Sequence, residues 1–166
     1  MKTDSSKPGR AGGGPAQPVS RDSSLLLLDV NVLVAIAWPN HQFHATAVRR
    51  MESSEDRWAT CALTQLGFIR LSSNPAAVSS AKSPGEAVAL LALMTSDHLH
   101  TYLEALPSPL EKDTGARFDR ILGSKQVTDA YLLALAHRND AIFLTFDTRL
   151  KTLAGHGIKT EVLGID

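Results

Sequence analysis

Two short, nearly all-apolar runs, Leu25–Leu28 and Ala141–Phe146, decide what kind of sheet this chain can build. A strand with one wet face alternates polar and apolar residues, whereas a strand covered on both faces reads as a continuous apolar stretch. Neither run can cross a membrane, which takes about 20 apolar residues in one helix. They are strands, and the sheet that holds them must carry helices on both sides.

The intervening segments supply those helices. Asn31–Ala37 reads as a helix stopped by Pro39, whose ring and missing N–H end it. His41–Glu55 aligns Phe43, Ala47, Val48 and Met51 along one side. Arg57–Thr60 is a second strand and Leu63–Leu71 the helix after it. Pro84 suits the first position of a helix running through Gly85–Thr95. His98–Leu103 reads as a third strand, Pro107–Asp113 as a loop, and Gly115–Leu122 as a short helix closed by Gly123. Thr128–Arg138, rich in Ala and Leu, is the clearest helix, with Thr128 available as its cap. Val162–Leu163 is a last edge strand. Strands spaced by helices imply an α/β fold with a central parallel sheet.

Three aspartates stand out by position. Asp29 follows the first apolar run directly, and Asp147 follows the second. In an open parallel sheet, ligands gather outside the carboxyl ends of the strands. Asp129 lies in the first turn of the Thr128–Arg138 helix, with Leu132, Leu133 and Ala136 following at helical spacing. It therefore shares the face that packs on the sheet, and an unpaired buried charge there is costly. Each residue alone also suits a turn or a cap, and Asn31 shares that capping role with Asp29. Three carboxylates aimed at one edge favour a metal site, and oxygen ligands with open positions suit Mg²⁺ or Mn²⁺.

Composition narrows the functional classes. Among 166 residues, 43% hydrophobic and 20% charged, the 17 Lys and Arg balance the 17 Asp and Glu. One domain with an ordinary core follows. Nucleic acid held by a strongly basic body is excluded, although local cations and a bound metal still allow it. The single cysteine, Cys61, permits no intrachain disulfide and has no basic neighbour to activate it, so it is a small buried residue. No signal-peptide pattern opens the chain, and a cytoplasmic location is expected. Residues 1–24, carrying Gly, Pro and Ser with scarcely a large apolar side chain, are expected to be a disordered, weakly basic tail ahead of a domain over 25–166.

The motifs resemble those of a known family. LLLLDVNVLVA is similar to the opening motif of PIN domains, WATCALTQLGFIRLSSNP to their second, VTDAYLLALA to the third acidic motif of VapC-type toxins, and FLTFDTRL to the fourth. The four occur in family order across Leu25–Asp166. The resemblance implies a three-layer α/β/α sandwich with a parallel sheet of about four to five strands. It implies Mg²⁺-dependent RNA cleavage by a metal-activated water, a VapB-type antitoxin partner and a homodimer. Asp29 and Asp129 match the principal metal-binding aspartates, and Asp147 the acidic residue after the fourth strand. Asn31 and Thr145 match polar positions flanking the site. Gln65 stands where the family commonly has Glu, which removes one negative charge and weakens the expected metal affinity. Asp119 is a possible substitute that nothing in the spacing requires.

Other readings stay open on the sequence alone. Gln65 also fits a catalytically silent binding module that keeps the fold. A phosphatase working through an aspartyl phosphate wants a second Asp where Asn31 stands, and a dinucleotide or P-loop role lacks its glycine fingerprint. Arg49, Arg50, Arg70, Lys125 and Arg149 are candidate RNA contacts. Trp38 and Trp58 could stack bases but suit a core better. His98 and His100 read best as a solvent-facing pair. The Asn31–Ala37 and His41–Glu55 helices offer a groove for an antitoxin segment.

Overall fold

The computed structural model describes residues 23–111, 114–116, 118, 121, 123–154 and 157–164. The chain begins with strand β1 (Leu25–Leu28), helices α1 (Val30–Ala37) and α2 (His44–Glu52), and strand β2 (Arg57–Thr60). Helices α3 (Ala62–Ser72) and α4 (Pro84–Thr95) lead to β3 (His100–Tyr102). Helix α5 (Val127–Arg138), β4 (Ile142–Thr145), α6 (Leu150–Ala154) and β5 (Thr160–Val162) complete it. All neighbouring strands pair in parallel, in the order β3-β2-β1-β4-β5.

The continuous apolar runs do what their pattern requires. Leu26 and Leu28 face a core shared with Val32, Leu33, Phe68, Leu91 and Leu144. Leu27 and Phe143 point the other way, toward Leu132, Leu133, Leu135 and Leu150. Side chains of a strand alternate between faces, so two apolar faces need an unbroken apolar run. Helices α1 to α4 cover one face and α5 with α6 the other, giving three layers. Right-handed crossovers explain the division: the chain steps outward from β1 to β2 and β3, then returns to β4 and β5 on the opposite side, so its connecting helices change face. The junction of β1 and β4 is thereby a switch point, where an open sheet forms its natural crevice.

Several element limits depart from the sequence reading. Helix α2 starts at His44 rather than His41, because backbone turns (His41 N–H to Trp38, His44 N–H to His41) precede it. Thr128 does not cap α5. A 3-10 turn over Ser124–Gln126 runs straight into that helix, placing Thr128 inside its first turn. The last strand is Thr160–Val162, one step before the pair expected. Helix α6 is too short to show a period in the sequence, and it forms because Leu150 and Ala154 bury into the α5 side of the core. Half of the segment read as a Gly115–Leu122 helix, Asp119 included, lies outside the described residues, as do residues 1–22 of the expected tail. Ser24 is bonded to the body: its N–H donates to Asp56 at 2.8 Å and its carbonyl accepts from Arg57.

Gly67 sets the spacing of two of these helices. A Cβ there would lie 2.4 Å from Val30 Cγ2, so α3 reaches α1 this closely only without a side chain at 67. Val30 follows Asp29, and this contact therefore fixes α3 against the start of α1.

Candidate metal centre

Asp29 directly follows β1, and its N–H donates to Leu144 of the neighbouring β4 at 2.9 Å. Its side chain is 9% exposed. One carboxylate oxygen accepts from Thr145 Oγ1 at 2.7 Å, and that hydroxyl accepts in turn from the Asp147 N–H at 3.1 Å. Burial pushes the Asp29 carboxyl above its ordinary value, and the charge of Asp147 adds to this. The Thr145 hydroxyl and the first amides of α1, at Val30 and Asn31, pull the other way.

Asp129 reaches the same edge from α5. A helix that returns between parallel strands starts at their carboxyl ends, so its first turn delivers this residue to the crevice. Its pKa is pushed up to about 6, first by burial and then by the charges of Asp29 and Asp147, with Arg149 opposing. Asp147 differs. Arg149 grips its carboxylate through Nε at 2.8 Å and also through Nη2, holding it below the ordinary carboxylate range. Among the described residues, Asp29 and Asp129 thus form an electronegative pair short of positive charge, with the third acid neutralised from within.

Such a pair suits a hard divalent cation. No three His, Cys, Asp or Glu side chains among the described residues converge into a ready-made cage. Mg²⁺ does not require one, since it typically takes one or two carboxylates and keeps several waters for substrate oxygens to replace.

The remaining expected residues fall at varying distance from this pair. Thr145, fully buried, belongs to it. Asn31 is exposed on the second residue of α1 and contributes its backbone amide to Asp29. Gln65 lies in the first turn and a half of α3 at the same sheet edge, but its amide nitrogen donates to Thr60 at 2.9 Å. The histidine pair is corrected: His98 is 88% exposed beside Asp97, whereas His100 is half-buried, its ring on Trp58 and its Nε2 on Thr60. The strand begins only at His100, so no alternation puts the two on one face. Among the cations, Arg50 is tied to Glu161 and Asp56 and Arg149 to Asp147, while Arg49 on α2 and Arg70 on α3 are exposed. The Lys125 side chain lies outside the described set. Cys61 and Trp58 are core residues, as their surroundings in the sequence suggested.

Two site features had little or no signal in the sequence. Thr60 ends an ordinary strand, and only the fold brings it beside Gln65. Arg149 read as an RNA contact, although its two-residue spacing from Asp147 suits a turn in which the pair closes on itself.

Fold and site together define an α/β protein with acidic side chains gathered at the switch point of a parallel sheet. The chain belongs to the PIN domain family, whose pattern matches residues 26–156. Ribonuclease VapC39 of Mycobacterium tuberculosis is 41% identical over 140 residues, covering 82% of this chain and 98% of that protein. Ribonuclease VapC38 of the same organism is 39% identical over 139 residues, with 83% and 96% covered. Among solved structures, VapBC2 from Rickettsia felis bound to a promoter DNA fragment superposes with a TM-score of 0.57 at 11% identity, covering 84% of this chain and 99% of that one. The sarcin-ricin loop cleaving toxin VapC20 of M. tuberculosis gives 0.56 at 15%, with 81% and 98% covered. These structures share the fold.

Proposed function

We propose that this protein is a Mg²⁺-dependent endoribonuclease, the toxin of a toxin–antitoxin pair, acting in the cytoplasm as a homodimer and silenced by a VapB-type partner. The observation that carries the reading is the pairing of Asp29 with Asp129. Two mutually repelling carboxylates at a sheet switch point, with the cation acting on them among the described residues, Arg149, already held by Asp147, are poised for an external positive charge. The ribonuclease names of the relatives supply the substrate class, and the VapBC complexes among the fold neighbours supply the kind of partner.

Asp29 and Asp129 would hold the ion, with Mn²⁺ an acceptable substitute and Asp147 joining directly or through water. Bound there, a divalent cation supplies Lewis acidity, polarising a phosphoryl oxygen and lowering the pKa of a water. The chain's own part is orientation. Thr145 fixes the Asp29 carboxylate, the α1 amides favour its ionised form, and Arg149 can leave Asp147 for a phosphate oxygen of the RNA. No side-chain nucleophile is required, and Cys61 is too buried to serve as one.

A catalytically silent binding module is the second reading, favoured by Gln65 at a position the family commonly fills with Glu and by the engagement of Asp147 with Arg149. Expression in a bacterial host separates the two. A toxin arrests growth, and both Asp129→Asn and co-expression of the cognate antitoxin relieve the arrest. Unimpaired growth with the protein folded and abundant would favour the silent module.

A further inference from the structure

The polar groups behind Gln65 form a chain with a direction. Gln65 Nε2 lies 2.9 Å from Thr60 Oγ1, which lies 2.9 Å from His100 Nε2. Thr60 Oγ1, filled by the Gln65 amide N–H, turns its own proton to the His100 ring, which places the ring's proton on Nδ1. Nε2 of the neutral ring is then an acceptor. The single proton of the Thr60 hydroxyl goes to Nε2, and its oxygen can only accept from position 65. An amide satisfies that requirement, and an ionised carboxylate does not.

The surroundings favour the neutral ring. His100 stacks at a tilt on Trp58 with centroids 4.5 Å apart, and burial holds its pKa below the ordinary histidine value. Asp97 opposes this, but it already accepts from Trp58 Nε1 at 3.0 Å and lies beside the exposed His98. Arg57, on the strand next to β3, is turned to Thr101.

We propose that His100, acting through Thr60, is a positioning residue that locks the Gln65 amide with its nitrogen on the sheet and its carbonyl oxygen toward the aspartate edge. Gln65 is then the residue type this relay demands, and it offers a neutral oxygen where an acid would be frustrated. The consequence for the metal centre rests on the nuclease reading, whereas the relay stands independently of it.

Ring-nitrogen NMR of the metal-free full chain tests the relay. His100 should show the Nδ1–H tautomer at neutral pH. In Gln65→Glu the Thr60 hydroxyl turns to the new carboxylate, Nε2 must donate, and His100 should bind its second proton about ten times more tightly. With Thr60→Val present, most of that gain should vanish. An Nε2–H tautomer in the unsubstituted chain, or an equal gain with and without the Thr60 hydroxyl, overturns the proposal. Mn²⁺ titration followed by electron paramagnetic resonance tests the link to the site. Thr60→Val should weaken Mn²⁺ several-fold with the fold intact, and unchanged affinity overturns the positioning role. If the unsubstituted chain binds no Mn²⁺, the metal reading fails and the tautomer alone decides the relay.

Discussion

Thr145 Oγ1 gives its proton to the Asp29 carboxylate at 2.7 Å and takes the Asp147 N–H at 3.1 Å, so one buried hydroxyl ties both strand-end aspartates together. Thr145→Val keeps the volume and β-branching but leaves the Asp29 carboxylate without that donor. A loss of about 1–3 kcal/mol in stability at neutral pH is expected, with Asp29 holding its proton still more tightly. Denaturant unfolding and carboxyl NMR titration check this, and unchanged values for both would show the bond to be incidental.

The raised acids make the metal-free protein pH-sensitive in a definite direction. An acid whose folded pKa lies above its unfolded value stabilises the fold below the unfolded pKa and loses that contribution as pH rises through the folded one. For Asp129 the window runs from about 4 to about 6. Asp147, Asp56 and Asp97 have lowered values and act oppositely, their contribution fading toward acid. The comparison that isolates Asp129 is therefore the melting temperature of the native chain against Asp129→Asn across this window. The variant should gain on the native chain as pH rises, and Mg²⁺ at pH 7 should raise the native melting temperature but scarcely that of the variant.

Gly67→Ala tests the α1–α3 contact. Alanine improves helix propensity by about 1 kcal/mol, yet its methyl would sit 2.4 Å from Val30 Cγ2. Overpacking should cost about 1–3 kcal/mol and outweigh the gain. Because Val30 adjoins Asp29, Mn²⁺ affinity should fall as well. A variant as stable as the parent, with native affinity, would mean that α3 yields freely and does not position the site.

Arg149→Gln removes the cation that holds Asp147. The Asp147 carboxyl should return toward its ordinary value, Asp129 should move further up, and Mn²⁺ should bind several-fold more tightly because an internal competitor is gone. RNA should bind less well, seen as a raised KM. Tighter RNA binding would count against any role for this arginine on the substrate.

The fold was legible because the apolar runs at Leu25–Leu28 and Ala141–Phe146 admit only a sheet covered on both faces, and because Pro39 and Pro84 punctuate the chain. Asp29, Asp129 and Asp147 were legible by position at element ends, a property that survives folding unchanged. What long-range contact decides was not legible. Nothing near Thr145 announces its bond to a residue on another strand, and His100 reads as one of a pair until the late start of β3 separates it from His98. Helix α6 owes its existence to Leu150 and Ala154 docking on the core, and the close approach of α3 to α1 to the missing side chain at Gly67. Gln65 carried a signal of lost charge, while the hydrogen-bond direction that makes an amide fitting there depends on Thr60 and His100 together.

The most direct test is cleavage of total bacterial RNA by the purified, partner-free protein, with fragment ends mapped by sequencing. Discrete cuts are expected with Mg²⁺ or Mn²⁺. They should disappear in EDTA and fall on the order of 100-fold or more in Asp29→Asn and Asp129→Asn, both variants remaining folded. Cleavage that persists in chelator or survives loss of Asp129 would contradict the metal-centred account, and so would a folded, metal-supplied protein that cuts no RNA.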